Sequence, residues 1–110
     1  MSLYLYNRVM DSALRMEEKL VLVRLAFSAT EDDLAILPLP KLASDTSFTE
    51  EEVKQYLGVL AEQGIIEDRS ISVRSPEGMT SFSPAYQINA ELLPKWTPEL
   101  RKKLLEEDAS

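Results

Sequence analysis

The composition allows one small domain and excludes several kinds of active site. The chain has 110 residues, 45% of them hydrophobic, and a formal net charge of -7 at pH 7. It contains no cysteine and no histidine, which excludes a disulfide framework, a Cys/His zinc site and a histidine-activated nucleophile. It has neither an apolar run of about 18 residues nor a recognisable secretory signal. We therefore expect a cytoplasmic, non-enzymatic protein without a metal, a cofactor or a membrane segment.

The chain begins with a short apolar segment that predicts either a helix or an arm. Leu3, Tyr6 and Met10 recur at helical spacing. Tyr4 and Leu5 complete a run of four large apolar or aromatic side chains, which are unfavourable in water when they stand together at an exposed end. We therefore expect Leu3, Tyr4, Leu5 and Tyr6 to contribute to the interface of a homodimer.

The apolar run 20–27 follows Glu17 and Glu18. An acidic first turn is typical of a helix, because carboxylates stabilise the positive end of the helix dipole. The valines of the run would also suit a buried strand, but the acidic start and the polar segment 28–33 favour a buried helix. A short edge strand at 35–37 is predicted next, since Pro38 and Pro40 impose extended geometry on the residues before them.

A second, longer helix is predicted over residues 49–63. Thr49 and Glu52 have the spacing of a capping box, and Gly64 provides the left-handed residue that commonly ends a helix. A brief helix near Pro40 precedes it. The spacing of apolar residues in these elements predicts one shared core, formed by Leu20, Val23, Phe27, Leu42, Val53, Leu57, Leu60 and Ile66.

The remaining elements are a hairpin and a last helix. Residues 65–74 alternate as a half-exposed strand does, 75–78 form a turn, and 80–88 return with a bend at Pro84. Thr97, followed by a proline and a glutamate, is typical of a helix start.

This order of elements resembles the winged helix-turn-helix domains of phage and plasmid replication proteins. The resemblance covers roughly residues 10–93, and the residues that carry it are Lys19-Leu-Val-Leu-x-x-Leu-Ala26, Val53, Leu57, Leu60 and Gly64-Ile65-Ile66. With Ser83-Pro84-x-Tyr86 after the hairpin, the chain is also similar to the amino-terminal domain of DnaD-type primosomal proteins. The resemblance implies an α+β fold, mainly α, with a two- to three-stranded β wing and an extra C-terminal helix. We divide the chain into an N-terminal arm or helix (1–15), a winged-helix domain (16–93) and a C-terminal helix (94–110).

The resemblance implies a DNA-binding module of a replication or regulatory protein, acting as a dimer. In that arrangement the helix over 49–63 lies near the groove and the hairpin follows the backbone. The residue types suited to DNA contacts at these positions are Thr49, Lys54, Gln55, Arg69 and Arg74.

The first turn of the same helix departs from this pattern. It reads Glu50-Glu51-Glu52, and carboxylates repel the phosphates of DNA, as does the net acidity of the whole chain. The alternative hypothesis is a winged helix used for protein assembly. Glu50 and Glu51 would then contact a basic protein partner, a replication or regulatory protein, or a second subunit.

Overall fold

The computed structural model describes residues 3–109 as an α+β protein, so the outermost residues of the predicted segments 1–15 and 94–110 lie outside it. The helices in this range are α1 (Leu3–Met10), α2 (Met16–Phe27), α3 (Leu39–Thr46), α4 (Glu50–Glu62) and α5 (Pro98–Ala109), with a short 3-10 helix at Ala90–Leu92. The strands are β1 (Leu34–Ile36), β2 (Ile66–Asp68), β3 (Ile71–Arg74), β4 (Thr80–Ser83) and β5 (Ala85–Ile88). No helix within the described range is both long and apolar enough to cross a membrane.

The strands form two antiparallel sheets. They are adjacent along the chain, but no strand of one sheet is paired with a strand of the other. One sheet has the order β1-β5-β2, with Ile66 opposite Ile88, and the other is the hairpin β3-β4. The return strand bends where the sequence predicts it, because Pro84 has no N–H to continue the ladder. The outgoing strand, predicted as continuous over 65–74, is also divided, since the hydroxyl of Ser70 accepts from the backbone N–H of Ala85 at 3.1 Å. The hairpin is therefore set apart from the sheet that packs on the helices.

The core lies between α2, α3, α4 and the three-stranded sheet. Of the predicted core residues, Leu42, Val53, Leu57, Leu60 and Ile66 are buried. The prediction is wrong for Leu20 and Phe27, which are 42% and 53% exposed, and Val23 is only partly buried. The buried face of α2 consists instead of Glu18, Val21, Leu22, Leu25 and Ala26. The reason is that α2 is apolar on two sides, so its sequence alone does not indicate which side meets the core.

The N-terminal segment is a helix, α1, that contributes to the core. Leu5 and Val9 are fully buried, whereas Leu3 and Tyr4 are 67% and 68% exposed. The prediction that Leu5 belongs to a subunit interface is therefore wrong, because its side chain packs within its own chain. The guanidinium of Arg8 also donates to the carbonyl of Ala90 at 2.9 Å and holds the helix in place.

The capping box at the start of α4 is confirmed. The Thr49 hydroxyl accepts from the Glu52 N–H at 3.1 Å, and the Glu52 carboxylate accepts from the Thr49 N–H at 2.9 Å. Two of the donors that a helix start leaves unpaired are thus satisfied. Gly64 closes the helix at φ +75°, and a β-carbon there would approach Leu92 Cδ1 to 3.1 Å.

We expect Thr49→Ala to lower the free energy of unfolding by about 1 kcal/mol, the typical loss for a helix cap. Urea unfolding followed by circular dichroism measures it. Thr49→Ser keeps the hydroxyl and serves as the control, with a midpoint close to that of the wild type. Equal midpoints for the alanine and serine variants would show that the cap contributes nothing.

Candidate functional site on helix α4 and the hairpin

The residues predicted to contact DNA occupy α4 and the two-stranded hairpin. Lys54 and Gln55 are exposed on the second turn of α4. Arg69 lies at the break between β2 and β3, and Arg74 ends β3 close to the turn. The hydroxyl of Thr49 accepts the Glu52 N–H in the capping box, which fixes its orientation, although its O–H can still donate to a ligand.

The acidic start of α4 presents two carboxylates to its surroundings. Glu50 and Glu51 are exposed, whereas the carboxylate of Glu52 is bonded back to the Thr49 N–H. Lys54 follows Glu50 by four residues and Glu51 by three, so all three side chains lie on neighbouring parts of one helix face. The exposed first turn of this face is therefore negative, with a single cation one turn further along.

Of the three cations predicted to contact DNA, Lys54 and Arg69 have a carboxylate nearby that offsets their positive charge. Arg69 pairs with Glu67 at 3.1 Å. Lys54 lines a groove of about 210 Å³ together with Asp68. Hydrogen bonds from the hydroxyl and the N–H of Ser70 lower the pKa of Asp68, so that carboxyl is charged at neutral pH. Arg74, in contrast, has no ion pair within residues 3–109.

The hairpin is almost entirely exposed and carries large apolar side chains. Every residue of β3 is exposed, and so is most of β4. The exposed apolar residues here are Ile71 (58%), Val73 (50%), Met79 (74%) and Phe82 (67%). Ile71 and Val73 point to one face of the hairpin, while Phe82, which is opposite Ser72, points to the other. Sequence reasoning missed this surface, because alternation in a strand is normally the sign of a face that packs on the core.

An apolar groove runs between the hairpin, α4 and the start of α3. It has a volume of about 380 Å³, and its walls are formed by Pro38, Leu39, Pro40, Lys54, Leu57, Phe82, Pro84 and Tyr86. Lys54, Leu57 and Tyr86 also line the smaller groove beside Asp68, so the two grooves adjoin along α4. Burial raises the pKa of Tyr86, with a further contribution from Asp68, and its hydroxyl therefore remains neutral. We call the pair of grooves the α4–hairpin groove.

A second group of cations lies away from this surface, around Trp96. Arg8, Lys19 and Lys95 line a recess with Met10, Asp11 and Trp96. Lys19 donates to the carbonyls of Met10 and Ser12 at 2.6 and 3.1 Å, so it satisfies the end of α1. Trp96, the only tryptophan of the chain, is 54% exposed. The cations of this recess do not add positive charge to α4 or to the hairpin.

No group of three metal-binding side chains comes together anywhere in the described range. The candidate site is a surface of apolar and charged side chains on α4 and the hairpin. Comparison with models of known protein families finds no match to this chain, and a search of curated proteins finds no significant match either.

Proposed function

We propose that this chain is a winged-helix module for protein assembly, which docks a protein partner in the α4–hairpin groove. The observation that carries the proposal is the exposure of Phe82 at the wall of this groove, on a hairpin that a DNA-binding winged helix would lay along phosphates and whose Ile71, Val73 and Met79 are exposed as well. Removing apolar side chains from water lowers the free energy, but contact with a charged phosphate backbone contributes little of this effect. Phe82 lines the groove, whereas Ile71 and Val73 lie on the opposite face of the hairpin. Exposed apolar residues beside a groove are typical of a surface that meets another protein.

The charges of the same surface support a protein partner. Glu50 and Glu51 stand at the start of α4, Arg69 is paired with Glu67, and Asp68 lies in the groove with Lys54. DNA affinity depends on cations that release counterions from phosphate, and this surface offers few of them. A protein segment with basic residues, in contrast, would gain from the exposed carboxylates.

The chemistry of the groove indicates what kind of segment it would accept. Prolines 38, 40 and 84 give it rigid apolar walls, and Phe82 and Tyr86 provide aromatic contacts. Rigid walls lower the entropy cost of binding. The expected ligand is an apolar segment of a replication or regulatory protein, flanked by lysine or arginine residues that face Glu50 and Glu51.

DNA binding is the second candidate, and Arg74 is the observation that favours it. Its side chain is exposed near the hairpin turn, without an ion pair in the described part of the chain. Lys54 and Gln55 would be the matching contacts from α4. On this hypothesis the cations matter more than the first turn of α4, and Glu50 and Glu51 weaken binding.

Comparative affinity capture from extracts of the source cell tests the assembly function. The full chain is compared with Phe82→Ser, and with Tyr4→Ser as a control, because the two aromatic residues are 67% and 68% exposed at different places. We expect a protein that the wild type and Tyr4→Ser both retain and that Phe82→Ser loses at least tenfold. Replacing Glu50 and Glu51 with glutamine should also reduce its capture. Identical profiles for all four proteins would overturn the assembly proposal.

Titration with mixed-sequence duplex DNA at low and moderate salt tests the second candidate. A DNA-binding module loses affinity steeply as salt rises, and Arg74→Ala should then flatten the salt slope by about one unit. The double glutamine variant would bind more tightly, because repulsion is removed. We expect no detectable binding by the wild type even at low salt, and steep salt-dependent binding would favour the DNA function instead.

A further inference from the structure

Helix α2 has an apolar stripe on the side that faces away from its own core. The stripe consists of Met16, Leu20, Val23 and Phe27, of which Met16 is 78%, Leu20 42% and Phe27 53% exposed, while Val23 is partly buried and also packs against the edge of the core. At about 100° per residue, these four side chains lie roughly opposite the buried face that contains Leu22 and Leu25. A helix with only one face to bury needs only one apolar stripe. The second stripe requires another explanation.

The spacing of the stripe is that of a helix that packs against another helix. Its residues are separated by four, three and four positions, which is the pattern of the a and d positions of a heptad. Such residues act as knobs that insert between side chains of the facing helix. The stripe extends along nearly the whole length of α2 (Met16–Phe27).

A groove beside the stripe provides room for a knob. It has a volume of about 470 Å³ and lies between α2 and α3, with Leu20, Val23, Arg24 and Phe27 on one side and Lys41, Asp45 and Thr46 on the other. Arg24 is held there by Asp45, with 2.6 Å between Nε and Oδ2, and its guanidinium lies 5.7 Å from the centre of the Phe27 ring. Hydrogen bonds from Lys41 and Arg24 lower the pKa of Asp45, so this ion pair is maintained at neutral pH.

We propose that the α2 stripe is the contact between two copies of this chain, which pack with their α2 helices antiparallel. In this arrangement Leu20 of one copy meets Val23 of the second, and Met16 enters the groove beside Phe27 of the second. Both contacts occur twice, because a twofold axis passes between the helices. The surface is separate from the α4–hairpin groove, and the proposal does not depend on the assembly function.

The charges that border the stripe match this antiparallel arrangement. Glu17 and Arg24 lie on the same flank of α2, seven residues apart. When the two helices run in opposite directions, the same flank of α2 in one copy faces that flank in the other. Glu17 of one copy then comes within a turn of Arg24 of the second. Arg24 shares Asp45 with Lys41, so two cations face one carboxylate and the cluster keeps a positive charge toward Glu17 at both ends of the contact. In a parallel pair these flanking side chains would not be brought together in this way, and this self-complementarity points to a second copy as the occupant.

Sedimentation equilibrium of the full chain over a wide concentration range tests the proposal. Because the contact is built from one helix on each side, we expect reversible, concentration-dependent dimerisation. Leu20→Glu should weaken it at least tenfold. Leu105→Glu is the matched control, since Leu105 is also a helical leucine and is 50% exposed. Circular dichroism checks that both variants remain folded. A wild type that is monomeric at all concentrations, or equal weakening by both variants, would overturn the proposal.

Cross-linking tests the orientation, and the absence of cysteine from the chain makes each introduced thiol unique. With a rise of 1.5 Å per residue, the two copies of position 20 are offset by about 5 Å along the helix axis in the antiparallel pair, and the two copies of position 16 by about 16 Å. Leu20→Cys should therefore cross-link readily with a short thiol-reactive reagent, and Met16→Cys should not. Equal cross-linking of both variants, as a parallel pair predicts, would overturn the antiparallel contact.

Discussion

Leu22→Ala is expected to lower the free energy of unfolding by about 2–5 kcal/mol, whereas Leu20→Ala should cost less than about 1 kcal/mol. The two leucines are two positions apart in α2, but Leu22 is fully buried and Leu20 is 42% exposed. Removing the buried side chain loses the favourable free energy of transferring it from water to the core. It also leaves a cavity that the neighbouring side chains only partly fill. Removing the exposed side chain leaves no cavity.

Urea unfolding at a protein concentration below any self-association measures both effects. The slope of the unfolding free energy with urea should be the same for the two variants, so that the difference lies in the midpoint. Both variants replace a leucine by alanine within α2, so the change in helix propensity is the same for Leu22→Ala and for its control, Leu20→Ala. A larger loss for Leu20→Ala than for Leu22→Ala would show that α2 presents its other face to the core.

A chain that begins at Asp11 is expected to lose about 3–6 kcal/mol of unfolding free energy. Burial of a large aliphatic side chain contributes about 1.5–3 kcal/mol, and the truncation removes two of them, Leu5 and Val9, both 0% exposed. It also removes the hydrogen bond between Arg8 and the carbonyl of Ala90. A loss of this size is a large part of the stability of a domain of this length.

The control for the truncation is the full chain with Leu3 and Tyr4 both replaced by alanine. These side chains are about two-thirds exposed, so their removal should change the midpoint of thermal unfolding only slightly. If α1 were an arm that packs mainly on a second subunit, the truncated chain would instead unfold with the midpoint of the full-length monomer. That result would contradict the assignment of Leu5 and Val9 to the core.

The local elements of this protein could be predicted from short stretches of sequence. Thr49 and Glu52 form the capping box because three residues separate them, and Gly64 ends α4 because its missing side chain permits a positive φ. Pro84 interrupts the return strand because it cannot donate a hydrogen bond. Each of these effects involves residues within about one turn of each other, so no tertiary information is needed.

The candidate site was only partly accessible to the same reasoning. The positions of Lys54, Gln55 and Arg74 on exposed parts of α4 and the hairpin agree with their predicted placement on the surface. The pairing of Arg69 with Glu67 and the presence of Asp68 in the groove beside Lys54 depend on where side chains lie in space. Charges that are neutralised locally cannot be recognised from a count of lysine and arginine.

The sequence by itself determined that this is an acidic α+β chain, where most of its helices and turns begin and end, and that it has no histidine or cysteine chemistry. Tertiary structure alone decided which of the two apolar sides of α2 meets the core, that Leu5 lies inside and Tyr4 outside, and that the apolar residues of the hairpin stay exposed. The physical reason is that capping and turn formation depend on neighbours in sequence. Burial depends on the whole set of packed elements, which compete to cover more apolar surface than one small core can enclose.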